Sequence, residues 1–326
     1  MNEAGNMKTD MLPTPDDLTL PQIMARFSTE EKAIEYFETI RWADGVVCPH
    51  CGNNDQSKFW KIKGNEEKKV RVGLRQCAEC KKQFRVTVGT IFEDSHIPLN
   101  LWLVAWYLMC GAKKGISAKQ MQRHLGLGSY KSAWFLCHRI RHAMQDPVFE
   151  GKLTGVVEVD ETYVGGYQTA EDRKIKDNKT PVVSLVERGG KKRSMVMKRV
   201  TSKNLQETIM NHVHHTATVV TDENNAYRYL HHAFDHRSVK HMANEYARRE
   251  KDMVVHSNTV ESSFSLLKRG VIGSFHHVSE QHLPLYLAEF DFRWNSRKDK
   301  DGKRTVEGLR KTAGKRLLMK SPREKA

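Results

Sequence analysis

The sequence contains no apolar run long enough to cross a membrane. Its longest, residues 99–109 (LNLWLVAWYLM), falls far short of the ~20 residues a spanning helix requires, and Asn100 interrupts it. The first 21 residues (MNEAGNMKTDMLPTPDDLTLP) place acids and prolines where a secretory signal has a basic start and an apolar centre, so export is not expected. Acidic residues are few, 39 against 54 Lys+Arg, for a formal charge of +15. An excess of that size spread along the whole chain favours a polyanion partner, nucleic acid before membrane, with a merely soluble basic protein as the alternative that charge alone leaves open. Cysteine is scarce at six residues, and in a cytoplasmic protein paired cysteines point to a metal before disulfides.

At 326 residues the chain exceeds one ordinary domain and suits two or three modules. Residues 1–27 are polar, carry Pro13 and Pro15, and are expected to be disordered. Residues 28–92 form the first module. A capping box, Ser28 with Glu31, opens a helix whose stripe is Ala33, Ile34, Phe37 and Ile40. Cys48-Pro-His-Cys51 and Cys77-Ala-Glu-Cys80 follow, separated by 25 residues that include the alternating segment KKVRVGLRQ. Two CxxC turns flanking a short antiparallel ribbon bring four thiolates into a tetrahedron, which predicts one closed, structural Zn²⁺ site.

Residues 93–147 form a helical module. Residues 99–110 read as a buried helix, with Trp102, Trp106 and Tyr107 in core packing instead of a base-stacking platform. Two further helices, the first capped by Ser117 and ending at Gly126, the second spanning about 130–144, suggest a helix-turn-helix. The second carries Lys131, His138, Arg139, Arg141 and His142, and Lys131, Arg139 and Arg141 are its candidate DNA contacts. A plain helical hairpin is the alternative.

From residue 152 to 297 the pattern becomes α/β. Strands are expected at 154–160, 181–187, 194–200, 217–221 and 236–240, with helices at 204–213 and 225–230 and a late helix within 256–279. That order fits an RNase H-like mixed sheet. Asp160 closes the first strand, Asp222 follows the fourth, and Glu261 lies on the late helix, where Asn258, Glu261, Ser265 and Lys268 share one face. Three such carboxylates suit two Mg²⁺ or Mn²⁺ ions ~4 Å apart, one between Asp160 and Asp222 and a second completed by Glu261, and in-line phosphoryl transfer, whereas each alone would read as a helix cap. Residues 298–326 read as a basic tail that follows DNA phosphates or stays solvated.

The zinc ribbon, the helical module and the segments DETYVGG, TDENNAY, HSNTVESSFSLLKRGVIGSFHHVS and HLPLYLAEFDFRWNSR together resemble bacterial insertion-sequence DDE transposases with an N-terminal zinc ribbon. The resemblance runs from about Ser28 to Arg297. It implies an RNase H-like enzyme that cleaves at the element's terminal inverted repeats and joins the freed ends to target DNA. The Asp-Asp-Glu triad falls on Asp160, Asp222 and Glu261, followed by Lys268, while Asn258 matches an alternative third position. Arg269 beside Lys268 is a further candidate contact to DNA. The chain would then be cytoplasmic, associated with the bacterial nucleoid on DNA, and self-associating there. Two other readings remain: a non-catalytic DNA-binding regulator derived from such an enzyme, and a structure-specific nuclease of the same fold.

Overall fold

The structure, a computed structural model, describes residues 18–65, 67–145, 151–165, 179–243, 245–250 and 252–318. The expected disordered segment up to residue 17, Pro147, Gly166, most of the charged loop 171–179 and the end of the tail from residue 319 lie outside the described residues. Two compact units result, one of Met1–Gly111 with Lys298–Arg316 and one of Ala112–Arg297 with Leu317–Ala326. Among the described residues no helix is long and apolar enough to cross a membrane.

The first unit holds α1 (Leu20–Arg26), α2 (Glu30–Arg41), an antiparallel sheet of β1 (Phe59–Ile62), β2 (Leu74–Cys77) and β3 (Gln83–Phe84), then α3 (Leu99–Gly111). Helix α1 lies inside the segment read as disordered; its Thr19 forms a capping box with Gln22 and it buries Ile23. Helix α2 starts one residue later than its capping signal implies, because Thr29, not Ser28, accepts the Lys32 N–H. It buries Ala33, Ile34 and Phe37, the last edge to face with Phe92, and its Glu38 takes a two-pronged ion pair from Arg75 of β2 (2.6 and 3.0 Å). Trp102 and Trp106 of α3 are fully buried, so they pack the core as their helical spacing implies. Residues 301–310, within the segment read as a basic tail, form helix α9 (Asp301–Arg310) in this same unit. A Cβ at Gly308 would come within 2.3 Å of the Trp106 ring, so this close approach of α9 to α3 requires glycine.

The second unit begins with α4 (Ala118–Leu125) and α5 (Tyr130–Met144). Ser117 caps α4, Gly126 closes it at φ +63°, and Ser129 caps α5. The segment read as one helical module, 93–147, is thus divided, with α3 in the first unit and α4 and α5 in the second. The sheet that follows contains β4 (Val156–Val164), β5 (Thr180–Glu187), β6 (Lys192–Val196), β7 (Thr218–Asp222) and β8 (Asp235–Val239), with α6 (Ser202–His212) between β6 and β7. Its order is β6-β5-β4-β7-β8, antiparallel across β6, β5 and β4 and parallel from β4 through β7 to β8. This is the mixed α/β sheet of an RNase H-like domain. The helix expected at 225–230 is replaced by two short 3₁₀ turns, Asn225–Tyr227 and Leu230–His232.

Alternation along the strands gives the sheet two buried faces. Val157, Val159, Leu185 and Val219 pack under Leu205 and Ile209 of α6. Val164, Val182 and Val186 pack under Val260, Phe264 and Leu267 of α7 (Asn258–Gly270) and Leu283, Leu287 and Phe290 of α8 (Leu283–Asn295). Before α7, β9 (Arg248–Arg249) and β10 (Val254–Val255) form a small antiparallel ribbon.

Candidate functional site

Strand β4 is longer than its sequence pattern implies. It continues four residues beyond Asp160, pairing with β5 as far as Val164↔Thr180, while its ladder with β7 ends at Glu158↔Val220. Asp160 and Asp222 each come two residues after that last pair, where β4 and β7 part. A parallel register therefore sets the two carboxylates level with each other. Asp160 lies within β4, not at its end, and the end of the β4–β7 ladder opens the site.

Helix α7 brings Glu261 to the same place, and Glu158 anchors it. The Glu158 carboxylate is fully buried and accepts the N–H groups of Thr259 (2.8 Å) and Val260 (3.0 Å) and the Thr259 hydroxyl (2.9 Å), while Arg188 pairs with it at 2.6 Å. A carboxylate from a strand thus caps the helix N-terminus in place of a local side chain. Glu158 and Asp160 lie on the same face of β4, two residues apart, so the cap fixes Glu261, one turn into α7, beside Asp160. Asn258, Glu261 and Lys268 lie on the exposed face of α7, and Val260, Phe264 and Leu267 on its buried face.

Asp160 responds to this crowding. Burial first, then the charges of Glu161, Asp222 and Glu261, push its carboxyl up to about 7. Burial likewise raises Asp222, with Glu223 and Glu261 adding to it and the Asn224 N–H and His241 opposing. Glu161 lies on the opposite face of β4, held by the Tyr227 hydroxyl and by Asn224 (2.8 Å), and it too is raised by burial. Because the folded carboxyl of Asp160 titrates above its unfolded value of 3.8, the folded state binds the extra proton between those limits. Asp160 should therefore contribute to the Mg²⁺-free protein a stability that is lost as pH rises from about 4 to about 7, and urea titrations run across the window should show that contribution removed in Asp160→Asn. The donors are oxygen only and the accumulated negative charge is of the kind a hard divalent cation relieves, while among the described residues the four cysteines are the one group of three or more metal-ligating side chains already close enough together to hold an ion.

His241 was not singled out from sequence. It starts a 3₁₀ turn, His241–Ala243, two residues after β8 ends, and β8 pairs with β7 up to Asp222↔Val239. Its Nε2 lies 3.1 Å from the Ser257 hydroxyl and 3.4 Å from Glu261 Oε1, and the Ser257 hydroxyl donates to Glu261 Oε1 at 2.6 Å. The signal available in sequence was positional: a polar residue just past a parallel strand lies at the same sheet end as Asp222.

The predicted DNA contacts separate. Lys131 is exposed in the first turn of α5, and Lys268 and Arg269 are exposed on α7. Arg139 and Arg141 are buried, which corrects their reading as groove-facing residues. The C-terminal half of α5 packs on α8, where Arg141 pairs with Glu289 at 2.6 Å and lies over the Tyr286 ring, while Arg139 lies over Phe135. Arg141→Ala should therefore cost stability, near the lower end of ~3–5 kcal/mol because Arg293 still pairs with Glu289, with DNA affinity unchanged. Urea denaturation and DNA titration of the same variant check this.

In the first unit the sulfurs of Cys48, Cys51, Cys77 and Cys80 lie within 4.8 Å of one another. Cys48–Cys80 and Cys51–Cys77 are 3.7 and 3.8 Å apart, and a tetrahedron with metal–sulfur bonds of ~2.3 Å has edges of about 3.8 Å. The residue after each CxxC pair, Gly52 and Lys81, is left-handed, which turns the chain back under the cluster. The Cys80 N–H, with Asn53 and the Glu79 N–H, draws the Cys77 thiol down, while at Cys51 the Asn53 N–H is outweighed by burial and the three neighbouring thiols, which push it up, so the four share their charge unequally until a cation is bound. The cluster is of the zinc-ribbon type and fits a structural zinc. His50 is not one of the four ligands; its ring meets the Gln83 carbonyl at 3.3 Å.

The fold and its two clusters define a class: an RNase H-like domain with carboxylates gathered at one sheet end, in a chain that also carries a zinc ribbon. Residues 152–295 match the family model described as the ISXO2-like transposase domain, and residues 28–83 match that of the transposase zinc-ribbon domain. The chain belongs to the insertion-sequence transposases with an N-terminal zinc ribbon. It is similar, at 28% identity over 306 residues (88% of this chain and 98% of the relative), to a protein of Halobacterium salinarum described as an uncharacterized protein in transposable element ISH50.

Proposed function

We propose that this transposase cleaves DNA at the terminal inverted repeats of its element and joins the freed 3′ ends to target DNA, with Asp160, Asp222 and Glu261 as the residues that hold divalent cations. The observation that carries this reading is that Asp160 and Asp222 each lie two residues beyond the last β4–β7 pair, where the charges of Asp222 and Glu261 add to the burial that raises Asp160. Bound Mg²⁺ or Mn²⁺ would supply activation of the attacking oxygen and charge neutralisation at the leaving oxygen.

The chain's own residues do the rest. Asp160 and Asp222 are fixed by the sheet register, and Glu261 by the cap on α7. Glu261 is preferred over Asn258 as third ligand because its carboxylate is held by Ser257 and His241, whereas the Asn258 side chain is exposed and forms no hydrogen bond among the described residues. Lys268 lies seven residues beyond Glu261, about 10 Å along the helix, within reach of a phosphate adjoining the scissile one. Lys131 at the start of α5 and Arg269 are proposed as further contacts to DNA, with two chains assembling on paired ends.

The test uses purified full-length protein, Mg²⁺ and a duplex carrying one element end. Nicking at the end followed by joining to a second duplex is the expected result. Binding without nicking would favour the regulator, and cutting by DNA shape with no joining would favour the structure-specific nuclease.

A further inference from the structure

We infer that His241, with Ser257, is a positioning residue that holds the Glu261 carboxylate in its ligating orientation, a role that rests on the reading of the site given above. Glu261 stands on the outer face of α7 with its side chain 48% exposed, and such a glutamate is free to sample several rotamers. Two groups restrain it. Ser257, at the turn before α7, is itself buried and donates its single hydroxyl proton to Glu261 Oε1 at 2.6 Å. Having given that proton away, the hydroxyl can only accept from the imidazole 3.1 Å distant, so Nε2 of His241 carries a hydrogen. The same Nε2 lies 3.4 Å from Glu261 Oε1. Donation at Nε2 holds in the neutral and the charged ring alike, so the arrangement does not depend on protonation of His241.

The relay is anchored at its far end. Glu223, the residue after Asp222, accepts the Met242 N–H at 2.8 Å and so ties the turn carrying His241 to the end of β7. Tyr246 lies against the imidazole, ring centroids 6.0 Å apart. Both restraints on Glu261 fall on Oε1, and Oε2 has no hydrogen-bond partner among the described residues, which leaves one oxygen for a cation shared with Asp160 or Asp222. The adjacent acids thus divide the work: Asp222 faces the site and Glu223 fixes the residue that orients the third ligand.

The experiment compares wild type with His241→Ala, His241→Gln, Ser257→Ala and Asp222→Ala, measuring Mn²⁺ affinity of the zinc-loaded, Mg²⁺-free protein by paramagnetic resonance of the free ion and the Mg²⁺ concentration for half-maximal nicking. Removing such an orienting partner typically costs 10–100-fold in metal affinity. His241→Ala and Ser257→Ala should each weaken Mn²⁺ binding about tenfold or more, raise the Mg²⁺ requirement in parallel, and leave Mg²⁺-free DNA affinity unchanged. Their effects should not add in the double variant, because they act in one chain of hydrogen bonds. His241→Gln, whose amide N–H reaches the place of Nε2, should recover most of the affinity. Wild-type Mn²⁺ affinity in both His241→Ala and Ser257→Ala, or equal impairment by Ala and Gln at position 241, overturns the inference. Nicking by Asp222→Ala at the wild-type rate would instead overturn the reading of the site, so the two failures are distinguishable.

Discussion

Asp222→Ala should lower single-turnover nicking at an element end by about 10³-fold or more, with the fold intact and Mg²⁺-free DNA binding unchanged. A ligand that holds a catalytic cation acts on several kcal/mol of charge stabilisation in the transition state, and each ~1.4 kcal/mol is a factor of ten. The fold should survive because the Asp222 carboxyl is already raised by burial and by like charges, so removing it relieves repulsion. Asp160→Ala should behave the same way, for a stronger form of the same reason. Glu261→Ala should fall with them, whereas Asn258→Ala should lose less than about tenfold, since nothing among the described residues orients the Asn258 amide. An active Glu261→Ala alongside an inactive Asn258→Ala would transfer the third position to Asn258. Rapid-quench measurements on the four variants, beside calorimetric melts, decide among these outcomes.

Cys77→Ser should unfold the zinc ribbon. Its sheet has strands of four, four and two residues, too little buried surface to stand alone, and such modules draw their folding energy from the metal. Zinc binding to ribbons of this kind carries an apparent ~10–16 kcal/mol, more than the stability of an ordinary domain. Metal analysis should find about one zinc per wild-type chain and almost none in the variant. Amide exchange over residues 59–62, 74–77 and 83–84 should rise to that of unfolded chain, and a strong chelator should reproduce the effect. Retained protection in zinc-free protein would show that Phe59, Phe84 and Trp42, which meet edge to face, hold the ribbon without metal.

Several features could be read from sequence because their physics is local. The two CxxC pairs turn within a few residues, so their spacing alone specifies four sulfurs around one metal. The alternating strands and the step of three and four through Asn258, Glu261, Ser265 and Lys268 likewise follow from side-chain direction in a strand and a helix. Helix ends were nearly right where a cap signal was single, as at Ser117, and one residue off where Ser28 and Thr29 competed. The 3₁₀ turns after β7 have the composition of a helix but lack the length to nucleate one.

What the sequence by itself determined is therefore the main strands and helices, though not α1, α9 or the 3₁₀ turns after β7, together with the thiolate cluster, all of which depend on neighbours a few residues away. Which charged groups face solvent was decided only by the tertiary structure. Arg141 looks like a groove-facing residue until Glu289, 148 positions later, meets it in the core. Glu158, two residues before Asp160 on the same face of β4, caps a helix about 100 residues further on instead of facing the site. His241 and Ser257 gain a role only when the parallel register of β7 and β8 and the cap on α7 bring them to Glu261. The physical reason is the same in each case: burial and ion pairing depend on distance in space, and sequence spacing encodes that distance only within a turn, a strand or a helix.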